Sequence, residues 1–209
     1  MTQATQPSPV VGILLAAGFS RRFGDQDKLM HPLTHYASRP GSSDAALTVA
    51  ETSARALIEA LPYSVAVVRE ENQALQTLLA TRGLHVVLST SRDAVMADSL
   101  KQGIRTAKAA FPRAAGFIIA LADMPFIRPQ TITQIAEHLA AAAIVQPTFN
   151  GQPGNPVGFS QKFADTLLTL EGDQGARGVL RVHQDEVLRM PCDDEGILRD
   201  IDTMADLPG

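Results

Sequence analysis

Apolar residues in this chain fall into short blocks separated by polar stretches, and the blocks alternate between two periodicities. Val10 to Leu15 is a continuous apolar run, β-branched at its start, as a strand buried on both faces of a parallel sheet requires. Between Ala45 and Leu61 the residues Leu47, Ala50, Ala54, Leu57 and Ile58 recur at helical spacing, and Pro62 ends the pattern. Val65–Val68 and Val86–Leu88 read as further buried strands, with a helix from Asn72 to Thr81 between them. A helix from Ala97 to Ala110 carries Leu100, Ile104 and Ala107 on one face, and it leads into Gly116–Leu121, the most apolar strand of the chain. Strand and helix in alternation predict an α/β fold with right-handed parallel connections.

The second half changes character. A helix from Thr131 to about Ala142 is followed by a strand over Ala143–Gln146, a loop dense in turn formers from Asn150 to Pro156, and a returning strand over Val157–Ser160. Gly172 to Leu180 opens a helix, and Asp200-Ile201-Asp202-Thr203 alternates as a strand end does. Thr34 to Asp44 is rich in Ser, Gly and Pro without periodicity and predicts a mobile loop. Residues 1–9 are polar with two prolines; they predict a frayed tail, not a signal peptide, ahead of a single domain over 10–209.

Composition narrows the function classes. With 209 residues and 45% hydrophobic content, the chain can bury one substantial core. A formal charge of −4, with no runs of Lys or Arg, argues against a nucleic-acid or membrane surface, so any anion must be held locally. No segment approaches transmembrane length. The single cysteine, Cys192, excludes an internal disulfide and a thiolate zinc cluster, which suits a cytoplasmic protein.

Candidate chemistry concentrates after the first strand. Two small residues and Gly18 let the backbone approach a ligand, and Arg21, Arg22 and Lys28 follow at once. Such a loop suits a polyphosphate, with amides on bridging oxygens and Arg22 and Lys28 neutralising charge that grows as a phosphoryl bond breaks. It is neither a P-loop nor a dinucleotide fingerprint, because Lys28 is followed by Leu29 and Gly18 is separated from Gly24 by five residues. Asp98 and Ser99 enter a helix, where they serve as caps or meet a ligand. Asp123, at the carboxyl end of a central strand, needs a cation once desolvated; magnesium is the expected one, and a cap on the following helix is the plainer alternative. Asp202 is a second metal candidate or a cap. Asp173 is placed to cap the helix after Gly172, and Arg177 to reach an anion. His31 and His35 make a weak pair for a metal, flanking Pro32 in a polar loop.

Taken together, these motifs resemble the nucleotidyltransferases of molybdenum cofactor synthesis over nearly the whole chain. The likeness is carried by Leu15-Ala16-Ala17-Gly18-Phe19-Ser20-Arg21-Arg22-Phe23-Gly24 with Asp27-Lys28, then Asp98-Ser99-Leu100 and Leu121-Ala122-Asp123-Met124-Pro125. It continues through Gly151 to Pro156, Gly172 to Arg177 and Asp200 to Thr203. The cytidylyl branch is the nearer one, since the guanylyl branch typically has a second glycine where this chain has Ala17.

The resemblance implies a three-layer Rossmann-like nucleotidyltransferase fold with a mostly parallel central sheet. It implies transfer of CMP from CTP to the terminal phosphate of molybdopterin, magnesium dependent, with release of pyrophosphate and a molybdoenzyme as receiver. Carried onto this sequence, it puts Leu15, Ala16, Ala17, Gly18 and Ser99 beside the nucleotide and makes Arg22 and Lys28 triphosphate ligands. Asp123, joined by Asp202, would hold the metal, and Gly154, Asn155 and Arg177 would face the acceptor. Arg22, Lys28 and Asp123 are then the catalytic set. Departures fall in loops: Val95 stands where glycine is frequent, His31–Ala46 is longer than usual, and Asn155 replaces a frequent histidine. Two other readings share the opening loop or the fold: a cytidylyl- or guanylyltransferase for another phosphorylated acceptor, such as the methylerythritol phosphate enzyme, and a non-catalytic maturation factor for molybdoenzymes.

Overall fold

A computed structural model describes residues 8–18, 23, 27–33, 46–89, 96–172 and 175–207. The first half is built from β1 (Val10–Ala16), α1 (Val49–Ala60), β2 (Ser64–Arg69), α2 (Gln73–Thr81), β3 (His85–Ser89), α3 (Met96–Ala110) and β4 (Gly116–Leu121). The second half adds α4 (Pro129–His138), β5 (Ile144–Phe149), β6 (Gln152–Pro153), β7 (Val157–Ser160), α5 (Ala164–Leu168), α6 (Arg177–Val182) and β8 (Val187–Pro191). The strands form one sheet in the order β3-β2-β1-β4-β7-β5-β6, with β8 on the other side of β5. Pairing is parallel except where β6 and β7 run against β4 and β5, so the expected α/β, mostly parallel sheet is what the chain builds.

Two apolar layers flank the sheet. Leu14, Ala66 and Ile118 face Leu57 of α1, Leu75 and Leu79 of α2 and Ile135 of α4. On the opposite face Val11, Ile13, Val67 and Phe117 meet Leu100 and Ile104 of α3, Leu167 of α5 and Val179 of α6. Because alternate residues of β1 enter opposite layers, every position from Val11 to Leu14 is buried, which is why its sequence is apolar without alternation. Val11, Ile13 and Leu14 each contribute roughly 1.5–3 kcal/mol by leaving water.

The order of strands fixes where a ligand fits. From β1 the chain moves to β2 and then β3 on one side, and α3 carries it back to β4 on the other side of β1. Helix α1, which follows β1, and α3, which leads into β4, therefore lie on opposite faces of the sheet, and the reversal of strand order between β1 and β4 leaves a crevice at their carboxyl ends. Ala17-Gly18 and Ala122-Asp123 emerge into it.

Several boundaries differ from the sequence reading. Helix α1 starts at Val49 because Thr48 and Glu51 form a reciprocal capping box. Helix α3 starts at Met96, so Asp98 and Ser99 lie inside its first turn and are not its cap. No strand forms at Asp200–Thr203; instead Thr203 caps a short 3-10 turn through Asp206. The loop after β5 contains a tight hairpin, with Asn150 (φ 50°) and Gly151 (φ 80°) as its two left-handed residues between β5 and β6. The predicted mobile loop from Thr34 to Asp44 and the tail before Ser8 lie outside the described residues.

Candidate active site

Lys28 sits on a 3-10 turn, Lys28–Met30, directly below the crevice, and its side chain is only 10% exposed. Its ammonium donates to Asp123 Oδ2 at 2.8 Å and to Asp202 Oδ1 at 3.1 Å. Burial works against the charge, but Asp123 and then Asp202 outweigh it, and the pKa of Lys28 is raised above the ordinary lysine value. Three residues from distant parts of the sequence thus meet at one point. Asp123 reaches it from the end of β4, where Ser53 of α1 donates its hydroxyl to the Ala122 carbonyl at 2.9 Å. Asp202 is delivered by its neighbour, since the buried Ile201 donates its amide to the Asp123 carbonyl at 2.9 Å. The cap role considered for each aspartate is not the one taken: α4 begins at Pro129 with Arg128 before it, and Thr203 does the capping near Asp202.

Around this triad lies a cavity of about 250 Å³ lined by Leu15, Ala16, Ala17, Gly18, Ser99 and Met96, with Lys28, Asp123 and Asp202 on its floor. A second cavity of about 160 Å³ adjoins it and shares Leu15, Met96 and Leu121 as a common wall. Gly154, Asn155 and Arg177, expected on the acceptor side, line this second cavity together with Gln146. Arg177 opens α6, is exposed, and has no carboxylate partner among the described residues. Leu15 to Gly18, Lys28, Ser99, Asp123, Asp202, Gly154, Asn155 and Arg177 are thus gathered in two neighbouring spaces. Asp98 and His31 line neither, Asp98 pairing with Lys101 at 2.9 Å and His31 standing edge-on to Phe23, and Arg21, Arg22, Asp173 and His35 lie outside the described residues.

The acceptor-side loop is held by close packing. Opposite Gln146 and Pro147 of β5, the β6–β7 stretch has four residues, Gly154 to Val157, so the loop bulges toward the cavity. A side chain at Gly154 would place its Cβ 2.4 Å from the Ile197 carbonyl oxygen, and one at Gly196 would lie 2.1 Å from that of Phe126. The 3-10 turn Glu195–Leu198 is therefore wedged between the Gly154 loop and the segment that follows Asp123. Its entry is anchored by Asp194, 2% exposed, which accepts from the Arg128 amide at 2.9 Å, the Thr131 hydroxyl at 2.6 Å and the Gly196 amide at 3.0 Å.

The sequence matches the family described as MobA-like NTP transferase domain over residues 12–187. The chain belongs to that family. Membership of the MobA-like NTP transferases makes it a nucleotidyltransferase by family, with the crevice residues just described inside the matched span apart from Asp202. A curated relative, the purine catabolism protein PucB of Bacillus subtilis, is 30% identical over 93% of this chain and 92% of its own. The solved Rv0371c of Mycobacterium tuberculosis is 25% identical, with a TM-score of 0.75 over 95% of each chain. A manganese complex of Rv0371c aligns at 24% identity and a TM-score of 0.70, covering 95% of each chain. Molybdopterin-guanine dinucleotide biosynthesis protein A from Archaeoglobus fulgidus shares the fold at a TM-score of 0.59 and 19% identity, over 95% of each chain. The Rossmann-like fold expected from the motifs is the fold of this group.

Sequence reasoning passed over several residues that shape the site. Met96, in both cavities, reads as an ordinary helix-entry methionine. Gln146 ends an apolar run, yet it is 9% exposed and donates to the Gly154 carbonyl at 3.1 Å while accepting from Arg189. A glutamine closing the apolar run Ala143-Ile144-Val145 was the signal for its place, though not for its partners. Asp27, read from the sequence only as part of the motif with Lys28, accepts the Leu29 amide at 3.0 Å and so shapes the turn that carries Lys28.

Proposed function

We propose that the protein transfers CMP from CTP to the terminal phosphate of molybdopterin and releases pyrophosphate. The observation that carries this reading is the pair of adjoining cavities, one floored by Lys28 and two aspartates and the other lined by Asn155 and Arg177, which has no carboxylate partner among the described residues. A triphosphate in the first and a phosphorylated acceptor in the second would meet at the shared wall. Lys28 and Arg22 would neutralise the triphosphate, the amides near Ala17 and Gly18 would face its oxygens, and Ser99 would line the nucleoside side.

Asp123 and Asp202 fit a divalent cation, because both present a carboxylate oxygen within 3.1 Å of one cationic nitrogen. Magnesium held there would supply charge neutralisation for the triphosphate. The manganese bound by Rv0371c supports use of a divalent metal in this fold. In the transfer, an acceptor phosphate oxygen attacks the α-phosphorus, and the bond from that phosphorus to the β-phosphate oxygen breaks as pyrophosphate departs. Alignment is the main contribution of the chain, and the acceptor, a phosphate monoester largely deprotonated near neutral pH, needs no general base.

PucB is by its name a protein of purine catabolism, and the receiver proposed for the product is a molybdoenzyme of that same breakdown. The deciding experiment is pyrophosphate release with magnesium and CTP, GTP or ATP, each with and without molybdopterin. Release with CTP and only in the presence of the pterin is expected. Release with GTP reassigns the base, and CTP binding without release on adding the pterin removes the acceptor.

A further inference from the structure

The turn that carries Lys28 is bolted to the sheet from behind by a residue outside both cavities. Asn72 caps α2, accepting the Leu75 amide on its Oδ1 at 3.2 Å, while its Nδ2 donates to Asp27 Oδ2. The other carboxylate oxygen of Asp27 accepts the Leu29 amide at 3.0 Å. These roles fix one orientation of the Asn72 amide, since the opposite one sets oxygen against carboxylate and NH₂ against a backbone amide. Asn72 is itself held still. Its backbone N–H donates to the Arg69 carbonyl at 3.1 Å, and the Gln76 side chain closes the same corner by donating to the carbonyls of Arg69 and Glu70, each at 2.9 Å. That corner is the carboxyl end of β2, whose Val67 and Val68 pair with Leu15 and Ala16 of β1.

We propose that Asn72 is a positioning residue for Lys28, acting through Asp27. The connection runs from the end of β2 to Asn72, to the Asp27 carboxylate, to the Leu29 amide, and so sets the height of the Lys28 turn against Asp123. This role rests on the nucleotidyltransferase reading of the Lys28 cavity.

The test exchanges the two groups. Asn72→Asp keeps an oxygen to cap α2 but sets a carboxylate against Asp27, whereas Asp27→Asn combined with Asn72→Asp restores a donor facing an acceptor and keeps an oxygen for the Leu29 amide. The wild-type protein is first shown by calorimetry to bind CTP, GTP or ATP with magnesium, and the best of these becomes the probe. Asn72→Asp is expected to weaken nucleotide binding or turnover about tenfold, equivalent to ~1.4 kcal/mol, with Tm little changed. The double exchange is expected to recover most of that loss. Wild-type binding and turnover in Asn72→Asp overturn the proposal, as does a loss that the double exchange leaves uncorrected while Tm stays near wild type. If Asn72→Asp lowers Tm, amide exchange at Leu29 decides: unchanged protection overturns the proposal, and protection lost in the single variant but regained in the double supports it. Failure of the wild-type protein to bind any of the three nucleotides overturns the reading of the cavity itself, and the proposal with it.

Discussion

At the scale of single residues, the site is an arrangement of one cation between two anions. Asp123→Ala is expected to lower metal-dependent turnover by about 10²-fold or more while far-UV circular dichroism stays that of wild type, because Asp123 is not a core residue; an unchanged rate removes it from the metal. Lys28→Met has two consequences that differ in sign. Transfer slows, but manganese binding to the nucleotide-free protein, followed by electron paramagnetic resonance, is expected to tighten roughly tenfold as ~1.4 kcal/mol of competition for the same carboxylates is removed. The raised pKa of Lys28 also gives a pH dependence of stability. Since the folded value lies above the unfolded one, the contribution of this ion pairing is complete below the ordinary lysine pKa, about 10.4, and fades as pH climbs through the folded value. Urea midpoints are expected to fall on that alkaline side, and by less in Lys28→Met. Lys28 and Asp123 were legible because a lysine after a glycine loop and a carboxylate at a strand end each have a plain chemical reason. Asn72 and Gln146 were not, because their roles depend on partners 45 and 8 positions away in sequence.

Among the elements, those with a strong period were read nearly to their ends, and those whose pattern is set by an edge or a wedge were not. Strands β1, β4 and β7 appear where their apolar runs stand. Strand β8 went unread because only Met190 of its five residues is buried; it lies against β5 alone and has no second face to advertise. The Asp200–Thr203 stretch has a strand's alternation, yet the backbone there goes to Asp123 and Asp206 in place of a sheet neighbour. The Gly154 loop reads as turn formers alone, whereas its glycine is required by the Ile197 carbonyl 2.4 Å from any added Cβ. Gly154→Ala is therefore expected to cost about 1–3 kcal/mol, seen as a lower Tm, and to raise KM for the acceptor with little effect on KM for the nucleotide. Equal effects on both constants would mean that the loop serves the whole site.

For the molecule as a whole, the α/β architecture followed from the alternation of blocks, but the reversal at β7 and the place of β8 did not, because period fixes element type and not neighbour. The shared wall of Leu15, Met96 and Leu121 gives a whole-molecule prediction. Binding in one cavity that settles this wall benefits the other, and the benefit is reciprocal. CTP is expected to bind several-fold more tightly when the acceptor is present, and the acceptor more tightly by the same factor with a non-reacting CTP analogue; two unequal factors would show that the cavities are not linked through binding alone. The same wall constrains how such an enzyme changes its choice of acceptor in evolution. Substitutions at Leu15, Met96 or Leu121 alter both pockets together, so under the assignment proposed above new acceptor preferences would have their freest route through Asn155 and Arg177, which border one cavity only, and a lineage that has moved Met96 is expected to carry a second change on the nucleotide side.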